Sequence, residues 1–373
     1  MGNSSKVLWV HWGRTGGGPR FLYELAKGDL QVSEPGSQFI SFNPDAEIAG
    51  RLRELPVPSL HVKTYQSKIG VVLGLPRLIW NSVRLRLWIR RNKIQVVVGV
   101  MESVYQSLAV PLCIPQSVHY IAGIHDGQHH PGESSLVQQL GRHLELWRAD
   151  QVLTFSNEVA SIVGQQTAVP IIVAEHPPFG ITAQSIITPR AFPENRPVVI
   201  GLFGRLQEYK GIGLLLEAAR LLRSDPEFKN LPEFEIRIVG NGPCAKLQNS
   251  TNGQEASWDI RWIPESEVDN IVSSFDIMVL PYTEASQSGP LGLALAQAIP
   301  CVVTPQGALP AQAEDFGVVA ENMTPIAFAR AISKVISTSV AYEVLSMCAV
   351  NKLANSPMWK GLAGQVRKEA LKG

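Results

Sequence analysis

Short apolar runs alternate with longer segments of helical periodicity in this chain, and this alternation limits the folds that it can adopt. The pattern repeats from one end of the chain to the other. It is typical of βαβ units, in which parallel strands form a sheet covered by helices on both faces. We predict strands at Val7–His11, Gln38–Ser41, Val96–Val100, His119–Ile121, Gln151–Thr154, Pro197–Phe203, Glu235–Val239, Ile277–Leu280 and Cys301–Thr304. We predict helices at Phe21–Lys27, Leu75–Arg91, Leu136–Arg148, Glu158–Gln165, Leu214–Arg223, Glu265–Phe275, Leu291–Ala298 and Pro325–Ile336.

These elements fall into two sets, separated by a proline-rich stretch. Residues 177–197 contain five prolines and little apolar periodicity, which is typical of a linker. A chain of 373 residues is also long for one hydrophobic core. We therefore predict an α/β protein with a first domain over 1–180, a linker over 181–196 and a second domain over 197–355. Ligands of open α/β sheets bind at the carboxyl ends of the strands, so we expect a ligand cleft.

Composition excludes several classes of protein. Hydrophobic residues make up 45% of the chain and charged residues 17%, which is typical of a globular protein. The net charge of +1 gives no sign of a nucleic-acid partner. The four cysteines have no metal-binding spacing, and we expect free thiols in a reducing compartment. No apolar run reaches the length of a membrane span, so we expect a cytoplasmic protein.

Two loops in the second domain combine phosphate-binding groups with strand ends. Gly204 lets the chain turn after the strand that ends at Phe203, and Arg205 and Lys210 follow on the same loop. Two cations near a helix N-terminus suit a diphosphate, although a solvated basic turn is the alternative.

The second of these loops, residues 284–291, follows the strand Ile277–Leu280 and opens a helix near Pro290. There, Ser288 and Gly289 would offer a hydroxyl and backbone N–H groups to a phosphate. The alternative is a serine-capped helix start that binds no ligand.

In the first domain, two segments at strand ends are candidates for ligand contact. The glycine triplet 16–18 follows the first strand and allows a ligand to approach the backbone closely, or it forms a plain flexible turn. His125 and Asp126 follow another strand, and His129 and His130 come soon after. Their spacing matches no common metal site, so we predict no metal here. A purely structural histidine is the other interpretation of His125.

The segment 75–93 combines apolar and aromatic residues with six basic ones. A core helix with one cationic, solvated face has this pattern, and so has a basic amphipathic helix that lies on anionic lipid. Both interpretations stay open, and the second predicts peripheral contact with the inner face of a membrane.

Four motifs of the second domain follow one another in an order typical of one enzyme family. They are Phe203-Gly204-Arg205 through Lys210-Gly211, Arg237 through Pro243, Ile263-Pro264 through Pro281, and Ser286-Gln287-Ser288-Gly289 through Thr304. This order resembles the donor domain of family 4 glycosyltransferases, a retaining group with the GT-B fold. The resemblance covers about residues 197–335, and a weaker one extends to 12–18 and 125–133. It implies two Rossmann-like, doubly wound domains that face a central cleft.

The resemblance also implies roles for individual residues. Catalytic roles fall on His125, Arg205, Lys210 and Glu284. Donor contacts fall on Gly17, Gly18, Gly204, Ile263, Pro264, Gln287, Ser288, Gly289, Pro290 and Leu291, and acceptor contacts on Asp126, His129 and His130. Arg205 and Lys210 would neutralise the diphosphate, so no metal and no cofactor is expected. His125, as a neutral imidazole, would hydrogen-bond the transferred sugar.

One departure from the family pattern concerns two glutamates. The family usually has them eight positions apart in this region, where Ala285 and Leu293 stand in this chain. Glu284 lies one position from the first and is its candidate replacement. We interpret the sequence as a Ser-Gln-Ser-Gly variant of the usual motif.

The function implied by the resemblance is that of a retaining hexosyltransferase, active in polysaccharide biosynthesis. It would move a sugar from UDP or GDP to a hydroxyl of a glycan, lipid-linked or small-molecule acceptor. The acceptor attacks the front face of the sugar, and the leaving phosphate takes its proton. The alternatives are a sugar-nucleotide epimerase or hydrolase on the same fold, and a non-catalytic nucleotide-sugar-binding subunit.

The resemblance makes one further prediction, about the last helix of the chain. In GT-B enzymes the chain crosses back at its end, so we expect a helix within 356–373 to pack on the first domain. Trp359, Leu362, Val366 and Leu371 form its predicted apolar stripe.

Overall fold

The computed structural model describes residues 5–64, 75–127, 136–179, 187–250, 255–285 and 288–372. The chain forms two compact units, and each contains its own parallel β-sheet with flanking helices. The first unit comprises the residues up to Pro177 together with those from Pro357 onward, and the second comprises Pro178–Ser356. In the described part of the chain, every helix is too short or too polar to span a lipid bilayer.

The sheet of the first unit is parallel throughout its described strands. These are β1 Val7–His11, β2 Gln38–Phe42, β3 Ser59–His61, β4 Val96–Gly99, β5 His119–Ile124, β6 Gln151–Thr154 and β7 Ile171–Val173. They are ordered β3-β2-β1-β4-β5-β6-β7, so the order of the strands reverses between β1 and β4, which are themselves parallel. The central strands are buried on both faces, which explains why they form continuous apolar runs in the sequence.

Six helices of the first unit precede its last strand. They are α1 Gly17–Asp29, α2 Ala49–Glu54, α3 Leu75–Asn92, α4 Val104–Cys113, α5 Leu136–Arg148 and α6 Asn157–Gly164, counted within the described ranges. α4 packs against both α3 and α5, so these three helices form one layer. Ser156 caps α6, because its hydroxyl accepts the N–H of Val159 at 3.1 Å.

The second unit has a parallel sheet of the same kind. Its described strands are β8 Val198–Phe203, β9 Phe234–Gly240, β10 Ser257–Ile260, β11 Ile277–Leu280, β12 Cys301–Val303 and β13 Gly317–Val319. Their order is β10-β9-β8-β11-β12-β13, and the order of the strands reverses between β8 and β11. Together the two sheets confirm the predicted fold class of doubly wound α/β domains.

The helices of the second unit follow its strands in turn. They are α7 Ile212–Ser224, α8 Glu265–Ser273, α9 Gly289–Ala296, α10 Leu309–Ala313, α11 Pro325–Ile336 and α12 Ser339–Asn355, with 3₁₀ turns at Glu208–Lys210, Pro226–Phe228 and Pro243–Ser250. The described end of the linker, 187–196, has no helix or strand. It is held on this unit by Arg190, which donates to the carbonyls of Ser273 and Phe275 at 2.7 and 2.8 Å.

The last helix, α13 Trp359–Ala370, packs against α1 in the first unit. Arg367 of α13 and Asp29 of α1 form a fully buried ion pair, with Nη2 and Oδ2 2.7 Å apart. Trp9 adds a hydrogen bond of 2.8 Å from its indole to the same carboxylate. Leu371 was predicted on the apolar stripe of this helix but is exposed, because the helix ends one residue earlier.

The sequence analysis missed several elements that the structure contains. The strands β3, β7, β10 and β13 were not predicted, and neither were the helices α2, α4, α10 and α12. The long helix α12 escaped because its apolar residues lie on all sides of it and form no stripe. All four cysteines are free thiols, as predicted.

Candidate functional site

In the second unit, the loops that follow β8 and β11 meet where the order of the strands reverses. The N–H of Thr283 donates to the carbonyl of Tyr209 at 2.8 Å. Gly211 has a left-handed φ of 61°, and a Cβ there would lie 1.8 Å from the carbonyl oxygen of Pro281. Only glycine can therefore occupy this crossing point. Open α/β sheets bind ligands at such reversals, so the two predicted phosphate loops adjoin at a suitable place.

Lys210 provides a buried cation between these two loops. It ends the 3₁₀ turn Glu208–Lys210 and is only 5% exposed. Its ammonium group donates to the hydroxyl of Tyr282 and lies 3.8 Å from the centroid of that ring. Burial raises the pKa of Tyr282, so the phenol is neutral near pH 7. Tyr282 thus holds the ammonium group in place without cancelling its charge.

Gly204 lies near the same ammonium group and near Pro290. Gly204 has a φ of 125°, and a Cβ there would lie 3.9 Å from Nζ of Lys210 and 3.7 Å from Cγ of Pro290. Pro290 lies in the first turn of α9. The structure therefore brings two predicted donor residues, Gly204 and Pro290, close together, and it places Gly204 near the predicted catalytic residue Lys210.

The start of α9 is a serine cap. The hydroxyl of Ser288 accepts the N–H of Leu291 at 3.4 Å, and the N–H of Ser288 donates to Gln312 at 3.1 Å. Both groups that the sequence offered to a phosphate therefore bind within the protein, as in the alternative interpretation of this loop. Gly289 differs, since its Cβ position opens onto free space where a ligand could reach the backbone. Gln287, another predicted donor residue, lies outside the described residues.

The remaining candidates of the second unit, two predicted as catalytic and two as donor contacts, lie on loops at the same edge of the sheet. Arg205 and Glu284 are exposed, one on each of the two adjoining loops. Ile263 and Pro264 follow β10, which is two strands away from β8, and Pro264 is the N-cap of α8. Arg205 therefore shares a loop with Lys210, and Glu284 lies on the loop that adjoins it. Ile263 and Pro264 lie farther along the edge of the sheet.

The first unit contains a cavity at its own reversal point. Its volume is about 490 Å³, and residues from the loops after β1 and β4 line it. The polar lining includes His11, Arg14, Thr15, Thr64, Glu102 and Gln138. Gly18 lines the cavity too, whereas Gly17 stands at the start of α1 with open space around its Cβ position.

His11, which the sequence analysis did not single out, shapes the glycine loop of this cavity. A Cβ at Gly13 or Gly18 would lie within 2.4 Å of its imidazole, so both glycines are needed for packing. Burial lowers the pKa of His11 to about 4, and its Nδ1 lies 3.3 Å from the carbonyl oxygen of Met101. The ring is therefore neutral near pH 7, and Nδ1 carries the proton that this carbonyl accepts.

Glu102 and Arg142 form a second feature of this cavity that the sequence did not reveal. The guanidinium of Arg142 donates to both carboxylate oxygens of Glu102. It also donates to the carbonyls of Asp126 and Gly127, at 2.8 and 3.3 Å. Arg142 thereby fixes the cavity wall at Glu102 and the backbone of the predicted acceptor segment.

His125 and Asp126 pair with each other, with Nδ1 and Oδ1 3.2 Å apart. Neither residue is among those that line the cavity. The ring of His125 faces an aromatic cluster formed by Phe155 and His176, with centroids 6.2 and 6.3 Å away. The acceptor candidates His129 and His130 lie outside the described residues. Within the described ranges, no group of three His, Cys, Asp or Glu side chains could hold a metal ion.

Comparison with known proteins finds a family match within the second unit. Residues 197–338 match the family described as glycosyl transferases group 1. The chain is also 30% identical over 120 residues to a GDP-mannose:glycolipid 4-beta-D-mannosyltransferase of Xanthomonas campestris pv. campestris. That alignment covers 31% of this chain and only about a third of the relative, 32% of its length.

Solved structures show that the GT-B fold extends over the whole chain. Sucrose-phosphate synthase from Thermosynechococcus elongatus aligns with a TM-score of 0.73 and 13% identity, covering 99% of this chain and 98% of that one. HepE from Anabaena, in complex with UDP-glucose, gives 0.72 and 14%, covering 98% and 99%. A glycosyltransferase from Rickettsia africae gives 0.69 and 16%, with full coverage of both chains.

Proposed function

We propose that this protein is a retaining glycosyltransferase that moves a hexose from a nucleoside diphosphate, UDP or GDP, to an acceptor hydroxyl. The observation that carries the proposal is the buried ammonium group of Lys210, which Tyr282 holds near Gly204. A fixed, buried cation at the reversal point of a doubly wound sheet suits a diphosphate. The group 1 glycosyltransferase match of residues 197–338 supports the same assignment.

The nucleotide-sugar would bind to the second unit. Lys210 and Arg205 would neutralise the diphosphate, and the open backbone at Gly289 would approach its oxygens. Since these cations supply positive charge, we propose that the transfer needs no metal ion. The names of two similar proteins support this class of donor, since one is a GDP-mannose-dependent mannosyltransferase and the other was solved with UDP-glucose.

The proposed reaction needs only the nucleotide-sugar and the acceptor. The bond between the anomeric carbon and the diphosphate oxygen breaks, and the acceptor oxygen bonds to that carbon from the same face. The proton of the acceptor hydroxyl passes to the leaving phosphate oxygen. Positive charge near that phosphate lowers the barrier, because negative charge develops there as the bond breaks.

The acceptor would bind to the first unit, in the cavity of about 490 Å³. Its polar lining, which includes Glu102, Thr64 and Gln138, can exchange hydrogen bonds with sugar or other hydroxyl groups. Glu102 is a suitable acceptor of such bonds, because Arg142 fixes its orientation.

The first test is a thermal-shift panel of nucleoside diphosphates, nucleotide-sugars and phosphate-free nucleosides. UDP or GDP should raise the melting temperature by a few degrees, whereas uridine and guanosine should not, because the phosphates carry the binding. Lys210→Ala should abolish the shift, and Lys334→Ala, an exposed lysine on α11, should preserve it. Arg205→Ala provides a second variant in case the buried change at Lys210 impairs folding.

The rate of sugar transfer in the presence of an acceptor distinguishes a glycosyltransferase from a hydrolase. Arg205→Ala and Lys210→Ala should each reduce sugar transfer by roughly 10²-fold, the usual effect of removing a charge-stabilising group. Release of free sugar at the same rate with and without an acceptor would identify a hydrolase instead. If nucleoside diphosphates bind neither the wild type nor the Lys334→Ala control, the donor-site assignment is wrong.

A further inference from the structure

The helix α5 buries its charged side chains and exposes four of its large apolar side chains, although Leu146 is buried. Its buried charged residues are Arg142, Glu145 and Arg148. Its exposed apolar residues are Leu136, Val137, Leu140 and Trp147. A surface helix of a water-soluble protein normally has the opposite arrangement. The apolar residues also recur at helical spacing, so they form a stripe along the outer face of α5.

Hydrogen bonds to the buried charges fix the rotation of α5. Arg142 donates to Glu102, and Glu145 accepts from Tyr120. Arg148 donates to two backbone carbonyls, at 3.0 and 2.8 Å. Breaking such buried pairs is strongly destabilising, so α5 cannot turn its apolar stripe toward the core. The stripe is a stable feature of this surface.

The rest of the helix layer extends the apolar area. α3 exposes Ile79, Trp80, Val83 and Leu87, and α4, which packs between α3 and α5, exposes Leu112. The side chains of Trp80 and Trp147 are each 63% exposed, and Leu136 is 83% exposed. We refer to the exposed apolar residues of α3, α4 and α5 as the apolar surface.

Positive charge runs along one side of the apolar surface. Arg77, Arg84 and Arg91 recur every seven residues and therefore lie in one line along α3. This helix contains no aspartate or glutamate. Exposed tryptophans beside a line of arginines match a bilayer that contains anionic lipids, which offers apolar chains and negative headgroups over a wide area.

We propose that the apolar surface docks this protein onto the face of a lipid bilayer that contains anionic lipids. Trp80 and Trp147 insert at the level of the headgroups, and the arginine line of α3 contacts the phosphates. The surface is larger than the segment 75–93 that the sequence singled out, because α5 contributes a second tryptophan. The inference does not depend on the proposed donor site, and its test needs no enzyme assay.

The electrostatic part is tested by sedimentation of the full-length protein with vesicles. We expect binding to phosphatidylcholine mixed with phosphatidylglycerol, weaker binding in high salt, and little binding to phosphatidylcholine alone. The triple variant Arg77→Gln/Arg84→Gln/Arg91→Gln should bind the mixed vesicles roughly tenfold to a hundredfold more weakly. The matched control Arg220→Gln/Arg330→Gln/Lys334→Gln makes the same change in net charge on the second unit and should bind as the wild type does.

The apolar part is tested with Trp80→Ser/Trp147→Ser, which should lose vesicle binding while its melting temperature stays unchanged, since both side chains are exposed. The control Val340→Ser/Val344→Ser removes exposed apolar groups from α12 and should have no effect. Brominated lipids give an independent signal, because they quench tryptophans that reach the bilayer. They should quench the wild type more than Trp80→Phe/Trp147→Phe.

Two results would overturn the proposal. The first is an absence of binding to mixed vesicles, or binding that both the arginine and the tryptophan variants retain. The second is a wild-type dimer in light scattering that Trp80→Ser/Trp147→Ser dissociates, without vesicle binding. That outcome would assign the apolar surface to a second copy of the chain.

Discussion

At His125, two neighbouring influences act on protonation in opposite directions. Burial disfavours the charged imidazole, whereas the Asp126 carboxylate and its hydrogen bond favour it. The carboxylate prevails, and the pKa of His125 is raised above its usual value. The sequence analysis expected a neutral ring here, so the structure gives this residue more cationic character than the family resemblance implied.

We predict that His125→Ala lowers kcat for sugar transfer by roughly 10- to 100-fold and leaves donor affinity within a few-fold. The reason is that a group which acts on developing charge contributes more to the transition state than to the ground state. Single-turnover rates and nucleotide titration of the same variant measure the two quantities. Unchanged chemistry with a lower melting temperature would make His125 only a support for the cluster of Phe155 and His176.

Glu145 is a buried acid whose protonation is coupled to folding. Burial raises the pKa of Glu145 to about 7, although the hydrogen bond from Tyr120 acts in the opposite direction. The folded protein therefore binds this proton more tightly than the unfolded chain does. The resulting stability is fully present below about pH 4.5 and is lost as the pH rises through about 7.

We predict that Glu145→Gln reduces the loss of stability between pH 5 and pH 8, by roughly 2–3 kcal/mol. The amide imitates the protonated acid and cannot ionise. Urea unfolding at a series of pH values measures this difference. Glu54→Gln, which changes an exposed carboxylate of α2, should leave the pH dependence as in the wild type. A Glu145→Gln curve parallel to the wild type would show that Glu145 does not titrate in this range.

The residues of the candidate site divide into those that the sequence could predict and those that it could not. Gly204 and Lys210 were accessible because their loop follows an unmistakable buried strand. Tyr282, His11 and Glu102 were not accessible, because each acts through a partner far away in the sequence. The packing of His11 in a glycine loop, for instance, leaves no local pattern that a reader of the sequence could find.

The four strands that the sequence analysis missed share one property, since each lies at the edge of its sheet. They are β3, β7, β10 and β13. Central parallel strands are buried on both faces and form continuous apolar runs, whereas each of these four strands includes residues that are not buried. Their sequences therefore lack the signal that revealed the other nine described strands.

The interface between α13 and α1 contains the buried ion pair of Arg367 and Asp29. Arg367→Met should destabilise the first unit by about 3–5 kcal/mol, because it leaves the Asp29 carboxylate buried and without its cation. The double variant Asp29→Asn/Arg367→Met should lose less stability, since it removes the unpaired charge. Differential scanning calorimetry measures both variants.

The control for this experiment is Arg330→Met. Arg330 also pairs with a carboxylate, that of Glu227, but the pair is exposed on the second unit. Exposed ion pairs contribute little to stability, so the transition should hardly move. Equal effects of Arg367→Met and Arg330→Met would contradict the importance assigned to burial of the Asp29 pair.

The fold class of the protein could be predicted from its sequence, but the order of the strands in each sheet could not. The alternation of strands and helices requires parallel sheets, and the structure confirms two of them. The reversals between β1 and β4 and between β8 and β11 are decided by which strands pair, a long-range property. These reversals position both the cavity of the first unit and the Lys210 site.

The attachment of α13 to α1 has a consequence for the order in which the protein is made. The ribosome must synthesise all of the second unit before Arg367 exists to pair with Asp29. At ordinary rates of translation, the first unit waits roughly 10–40 s for its last helix. During that time the carboxylate of Asp29 lacks the guanidinium that neutralises it, although the indole of Trp9 can already donate a hydrogen bond to it. The second unit can therefore fold to completion first, although it comes later in the chain.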